Sequence, residues 1–126
     1  MKGVDTNVLV RLMVSDDRAQ TDRARSFVTA NAPCWINRVV MCETAWVLES
    51  AYSLGRRDIA GAFETLLETA DFEIEDADAV RSGVRALQAG GDFADAVIAH
   101  TNRGRGCAGT ATFDRRAAKT DDFELI

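Results

Sequence analysis

The stretch Lys2-Gly3-Val4-Asp5-Thr6-Asn7-Val8-Leu9 sets the reading of the whole chain. Lys2 to Asp5 reads as a short strand that ends in polar residues. Asn7 is expected to cap the short helix that follows, through about Val14, because its side-chain oxygen can accept from the free amides of a first helical turn. A strand that passes directly into a helix opens an alternating β/α pattern. Such patterns build parallel sheets covered by helices. Ligands then bind in the crevice outside the carboxyl ends of the strands, and Asp5 sits at such an end.

The alternation continues along the chain. Asp16 and Asp17 open a helix whose Ala24, Phe27 and Val28 share one face, and Asn31-Ala32-Pro33 breaks it. Cys34-Trp35-Ile36 reads as a strand, and Asn37 caps a long helix to about Tyr52. Gly55 closes that region. Ile59, Ala62, Phe63, Leu66, Leu67 and Ala70 keep the helical apolar period. Their stripe is wide, and core packing is its default use, with a subunit interface as the alternative. Phe72 to Glu75 is a strand candidate. Val80, Val84 and Leu87 mark a helix that Gly90-Gly91 ends, and another runs from Asp92 or Phe93 to Asn102. Cys107 to Thr112 is a weak strand candidate, Asp114 follows in a turn, and Phe123 to Ile126 reads as an edge strand.

The 126 residues, 47% of them hydrophobic, suffice for one compact domain with a real core. No linker or repeat divides them, so a single domain over 1–126 is expected. No stretch approaches the ~20 apolar residues needed to span a bilayer. Asp5 stands where a signal peptide needs an apolar run, and Arg11 interrupts Val8-Leu9-Val10, so the expected location is cytoplasmic. Cys34, Cys42 and Cys107 lack the spacing of a zinc site or redox pair and are expected to be buried, reduced thiols. The single His100 excludes chemistry that needs two histidines and reads as a packing or surface residue. The formal charge of −5 excludes strong nonspecific nucleic-acid binding driven by overall charge. It does not exclude an RNA substrate: with four of the 20 acids neutralised by a cation, 16 stand against 15 Lys and Arg, a balance of −1.

Four acids stand out. Asp5 closes the first strand. Asp95 lies three residues beyond Asp92, so both project from a helix start, where the helix dipole tolerates carboxylates. Asp114 follows the last main strand candidate. Glu43 has Val39, Trp46 and Val47 as helical neighbours, which places it on an apolar stripe; glutamate is rarely buried unless paired with a cation. Taken singly, the aspartates are ordinary caps and turn residues, and an arginine could satisfy Glu43. Taken together they suggest convergence. Carboxylates brought within a few Å repel until one takes a proton or a divalent ion enters. An all-oxygen set suits magnesium or manganese better than zinc. Such ions act on phosphate oxygens, which makes a phosphodiester the natural substrate class.

At these residues the sequence resembles the PIN-domain family, and within it the VapC toxins of prokaryotic toxin–antitoxin pairs. The matching pieces are Val4-Asp5-Thr6-Asn7-Val8-Leu9, Glu43 in the long helix, Asp95-Ala96-Val97-Ile98-Ala99, and Thr112-Phe113-Asp114. They occur in family order and span nearly the whole chain. The resemblance implies an α/β fold of three layers, a central, mostly parallel sheet of four to five strands with helices on both sides. It implies metal ligation and catalysis by Asp5, Glu43, Asp95 and Asp114, with Mg2+ or Mn2+ as cofactor and Asp92 as a nearby extra acid. Asp5 and Asp95 are expected to contact the metal most directly, and Asp114 partly through water. Thr6, Asn7 and Thr112 match supporting polar residues, Thr112 orienting Asp5 or the attacking water. The implied activity is a metal-dependent endoribonuclease acting on structured RNA such as tRNA or rRNA. The implied partners are a second copy in a homodimer and a VapB-type antitoxin whose tail covers the site.

The reaction expected is hydrolysis, with water attacking the scissile phosphorus in line and one or two ions stabilising the leaving oxygen. Arg38, Arg103, Arg105, Arg115 and Arg116 are candidates to steer the RNA backbone. Two other readings compete. A phosphatase of the haloacid dehalogenase type also places an Asp after its first strand, but wants a second acid where this chain has Asn7. A catalytically inactive PIN-like module would only dock RNA or a protein, and the presence of all four acids argues against it.

Overall fold

The computed structural model describes residues 1–126. The alternation read from the sequence is present, with one change at the start. Lys2–Asp5 makes only a bridge: Gly3 pairs in parallel with Trp35, the Trp35 amide donates to the Lys2 carbonyl at 2.8 Å, and the Val4 amide donates to the Trp35 carbonyl at 3.0 Å. Helix α1, Thr6–Met13, is capped by Asp5 and not by Asn7. Asp5 has the extended backbone that a cap requires, and its Oδ1 accepts from the Val8 amide at 3.2 Å. Asn7 already lies inside the helix.

Asp17 caps α2, Arg18–Asn31. Ala24 and Val28 face inward, but Phe27 between them is 39% exposed. Strand β1, Cys34–Ile36, leads through the Asn37 cap into α3, Arg38–Ser50. Gly55 precedes α4, Arg56–Glu68. Strand β2, Phe72–Ile74, is followed by α5, Ala77–Gln88, capped by Asp76. Asp92 caps α6, Phe93–Gly104. Strand β3, Thr110–Thr112, a short 3-10 turn at Ala117–Lys119, and β4, Phe123–Leu125, complete the chain.

The fold is α/β with parallel strands. β1 pairs with β2 (Cys34 opposite Phe72, Ile36 opposite Ile74), and β3 pairs with β4 (Thr110 opposite Phe123). These are two separate two-stranded ladders, shorter than the continuous four- to five-stranded sheet expected. Each strand has only three residues, and burial differs between the pairs. Cys34 and Ile36 are fully buried, whereas Thr110 and Thr112 are half-buried and Ala111 is exposed.

One apolar cluster joins Leu9 and Val10 of α1, Met41 and Leu48 of α3, Ile59 and Phe63 of α4, and Val80 and Leu87 of α5. The stripe of α4 therefore serves the core: Ile59, Ala60, Phe63 and Leu66 are all buried. Phe93 packs edge-on against Phe63, with ring centroids 4.9 Å apart at 78°. Its other neighbour is Gly83 of α5, where an added Cβ would fall 2.4 Å from the ring carbons Cδ2 and Cε2. This close approach lets α5 and α6 lie tightly together, and Phe93 stands between the two acids that open α6. No helix is long and apolar enough to cross a membrane.

Candidate functional site

The start of α6 organises the site. Asp92 Oδ2 accepts from the Asp95 amide at 2.9 Å, so the cap itself sets the distance between the two acids. The loop before it is held by Arg56, whose Nη1 donates to the Gly90 carbonyl and to the Gly91 carbonyl at 2.8 Å. Gly90 has φ +84°, a conformation that glycine adopts without strain. Glu49 lies 3.5 Å from Arg56 Nη2 and keeps that guanidinium in place.

Asp114 approaches from the turn after β3. Its amide donates to Thr112 Oγ1 at 2.9 Å, and its Oδ1 accepts from the Arg116 amide at 2.8 Å. Thr112 thus supports Asp114, and Asp5 is not its hydrogen-bond partner. Burial pushes the Asp95 carboxyl above the usual carboxylate range, and the negative charges of Asp92 and Asp114 raise it further. The three acids therefore share one electrostatic environment. They line a cleft of about 810 Å³.

The other two acids form a second group. Thr6, buried at the start of α1, donates from Oγ1 to Glu43 Oε1 on α3, and Asp5 adjoins it as the α1 cap. Asn7 is exposed. The expectation that Glu43 sits on a buried apolar stripe is corrected. α3 buries Met41, Thr44, Ala45 and Leu48 on its other side, leaving Glu43 exposed beside Val39 and Trp46, 76% and 69% exposed. On the same turn of α3, burial raises the Cys42 thiol, the charge of Asp92 adds to that, and Arg38 opposes it.

The basic residues divide unevenly. Arg103 and Arg116 line the cleft, and Arg103 also pairs with Asp122. Arg105 and Arg115 are exposed outside it. Arg38 is engaged within the fold. Its amide and Nε donate to Glu75 Oε1 at 2.9 and 3.2 Å, its Nη1 donates to Thr101 Oγ1 at 3.0 Å, and Asp76 lies 3.6 Å away. The Arg38 amide, and then its guanidinium, hold the Glu75 carboxyl below the usual range despite some burial. Three further cations line the cleft, Arg56, Arg85 and Lys119. The sequence reading named none of the three as a residue that steers the RNA backbone, because spacing along the chain does not show which surface cations face a cleft. His100 also lines the cleft, with a buried Nδ1 that has no hydrogen-bond partner. Cys34 is buried as expected, but Cys42 is half-buried and Cys107 exposed, because Cys107 falls in the glycine-rich loop before β3; all three are free thiols.

The residues fit a hard divalent cation in kind: every candidate donor is a carboxylate oxygen, and the raised Asp95 marks a place where positive charge is wanted. As the side chains stand, no three of them are grouped closely enough to enclose an ion. The PIN domain family matches residues 3–122. The chain belongs to the PIN-domain family. PIN domains are in general metal-dependent nucleases, so the chain has a nuclease-type fold of a hydrolase family that in general uses divalent ions. No curated protein and no solved structure matches the chain significantly. In this PIN domain the cleft acids come from α6 and from the β3 turn, while Asp5 caps the helix whose Thr6 donates to Glu43 across the α1–α3 contact.

Proposed function

We propose that this PIN domain, one domain over 1–126, is an endoribonuclease dependent on Mg2+ or Mn2+. The observation that carries the reading is the shared cleft of Asp92, Asp95 and Asp114, walled by Arg85, Arg116 and Lys119. A phosphodiester needs both kinds of group at once: cations to balance its oxygens, and carboxylates to hold an ion and a water at phosphorus.

Asp95 and Asp114, with Asp5 and Glu43, are the residues that would hold the ion. When bound, it supplies Lewis acidity toward the phosphate and lowers the pKa of water. The chain's own groups do the rest. Asp92 fixes Asp95 through the helix cap, Thr112 and the Arg116 amide fix Asp114, and Thr6 orients Glu43. Arg116 and Lys119 balance the charge of the RNA backbone, with Arg103, Arg105 and Arg115 at the approaches.

The cellular role we propose is that of the toxin of a VapBC-type pair, in the cytoplasm. It would form a homodimer, be restrained by a VapB-type antitoxin, and cut tRNA or rRNA. The ordered match of the four motif pieces to VapC toxins supports this role. The test compares wild type with Asp5→Asn and Asp95→Asn, each first shown to be folded, on total RNA in Mg2+, Mn2+ and chelator. Metal-dependent, site-selective cuts lost in both variants are expected. Cuts that survive in both variants would place the chemistry elsewhere or in a contaminant.

A further inference from the structure

The exposed aromatic rings have a distribution that core packing does not explain. The chain has nine Phe, Trp and Tyr residues, and only Phe27, Trp46 and Phe113 are exposed. Phe27 is 39% exposed on α2, whereas Trp46 and Phe113 are 69% and 81% exposed. Both of the latter adjoin a candidate acid. Trp46 lies one helical turn beyond Glu43, ~5 Å along α3. Phe113 directly precedes Asp114. Each offers a wide π-face to solvent, at a cost in exposed apolar surface that a ligand would offset.

We infer that Trp46, one helical turn from Glu43, and Phe113, next to Asp114, are stacking platforms for unpaired bases of the RNA near the scissile phosphate. The inference rests on the ribonuclease reading and assigns two residues of this chain their contact with the bases. A phosphate held at the acids brings the bases of the adjoining nucleotides to the groups immediately around those acids. The cleft beside Asp114 carries the complementary backbone partners, Arg85, Arg116 and Lys119. Cations along one side and exposed rings beside the acids form the combination that grips a single strand: charge tracks the backbone, and rings stack on bases with little regard to sequence. Bases inside an A-form duplex are already stacked and paired, so neither ring can engage them.

The chain has two tryptophans, and Trp35 in β1 is only half-buried, so Trp35→Phe makes Trp46 the sole emitter. In that background, fluorescence titration with a short phosphorothioate-linked single-stranded RNA is expected to quench Trp46, and the same RNA annealed to its complement is not. Trp46→Ala and Phe113→Ala should each weaken single-strand binding roughly five- to hundredfold, while Trp46→Phe keeps most of it. Both rings are exposed, so the melting temperature should not move. Equal quenching by the duplex, or unchanged affinity in both alanine variants, overturns the inference. So does a change from dimer to monomer in sedimentation with RNA affinity retained, which would assign the rings to a second copy of the chain. If wild type binds neither strand, the ribonuclease reading fails as well; if the alanine variants still bind, only the stacking role fails.

Discussion

Gly83→Ala is the substitution whose outcome the packing of α5 against α6 decides. At an ordinary interior helix position, alanine is better than glycine by ~1 kcal/mol. Gly83 is not ordinary: the new Cβ would lie 2.4 Å from two carbons of the Phe93 ring. The ring cannot swing away freely, because it is 1% exposed and stands edge-on to Phe63. Overpacking of this kind costs about 1–3 kcal/mol. The added Cβ at 2.4 Å from two ring carbons puts the cost in the upper part of that range, about 2–3 kcal/mol, and the helix-propensity gain of ~1 kcal/mol leaves a net loss of about 1–2 kcal/mol. For a chain of this length that corresponds to a drop in Tm of about 4–8 °C. Thermal and urea unfolding followed by circular dichroism measure it. Gly61→Ala on α4 is the control, since nothing lies within 4 Å of its added Cβ; it should gain up to ~1 kcal/mol. Adding Phe93→Leu to Gly83→Ala should recover part of the loss by giving the methyl room. A Gly83→Ala variant as stable as wild type would show that the two helices have slack, and the tight seating of the α6 start would have to be abandoned.

Three further outcomes follow from the site. Adding Mg2+ or Mn2+ at about a hundredfold over its Kd should stabilise the folded state by ~2.7 kcal/mol; scanning fluorimetry with and without chelator reads this, and an equal rise in Asp95→Asn would remove that residue from the ion's shell. Glu75 has a lowered carboxyl, so its contribution to stability is present above the unfolded carboxylate value and is lost as pH falls through the folded one. Glu75→Gln should flatten that part of the acid limb of a urea-unfolding series, and an unaltered limb would show that Arg38 gains nothing from its partner. Arg56→Ala frees the Gly90 and Gly91 carbonyls, so amide exchange at 90–95 should rise and Mn2+ affinity, read by titration calorimetry, should fall. Unchanged exchange there would mean that the loop holds its own shape.

Much of the fold was legible because local rules and tertiary packing agree. Asp17, Asn37 and the Asp92 start of α6 serve as caps where the sequence suggested them, and the apolar period of α4 packs into the core. The first helix was misread by two residues, since Asp5 and Asn7 are both good caps and only the bridge to Trp35 decides between them. Asp92, Asp95 and Asp114 line one cleft, whereas Asp5 and Glu43, which the sequence reading grouped with Asp95 and Asp114, do not line it. The surroundings of Glu43 did not follow from that reading, because helical neighbours of apolar type mark a shared face without telling which way the face points. Arg38 reads as a free cation in one dimension; Glu75, Asp76 and Thr101, which engage it, come from distant parts of the chain. Arg85 and Lys119 reach the cleft through the packing of α5 and the last turn, information that spacing along the chain does not hold.

Asp114 has a different standing from its partners. The continuous apolar cluster runs from Val4 to Val97 and takes nothing from β3 or β4. The segment that delivers Asp114 is fastened by a three-residue parallel ladder, the turn at Ala117, the Asn102–Thr110 hydrogen bond and the Arg103–Asp122 pair. A segment held by so few and mostly polar ties is expected to open locally at a fraction of the free energy needed to unfold the molecule. Catalytic competence and melting temperature are then separate properties. A stabilised core leaves this segment held no more firmly than before, and a ligand that presses on β4 is expected to move Asp114 without touching a single acid.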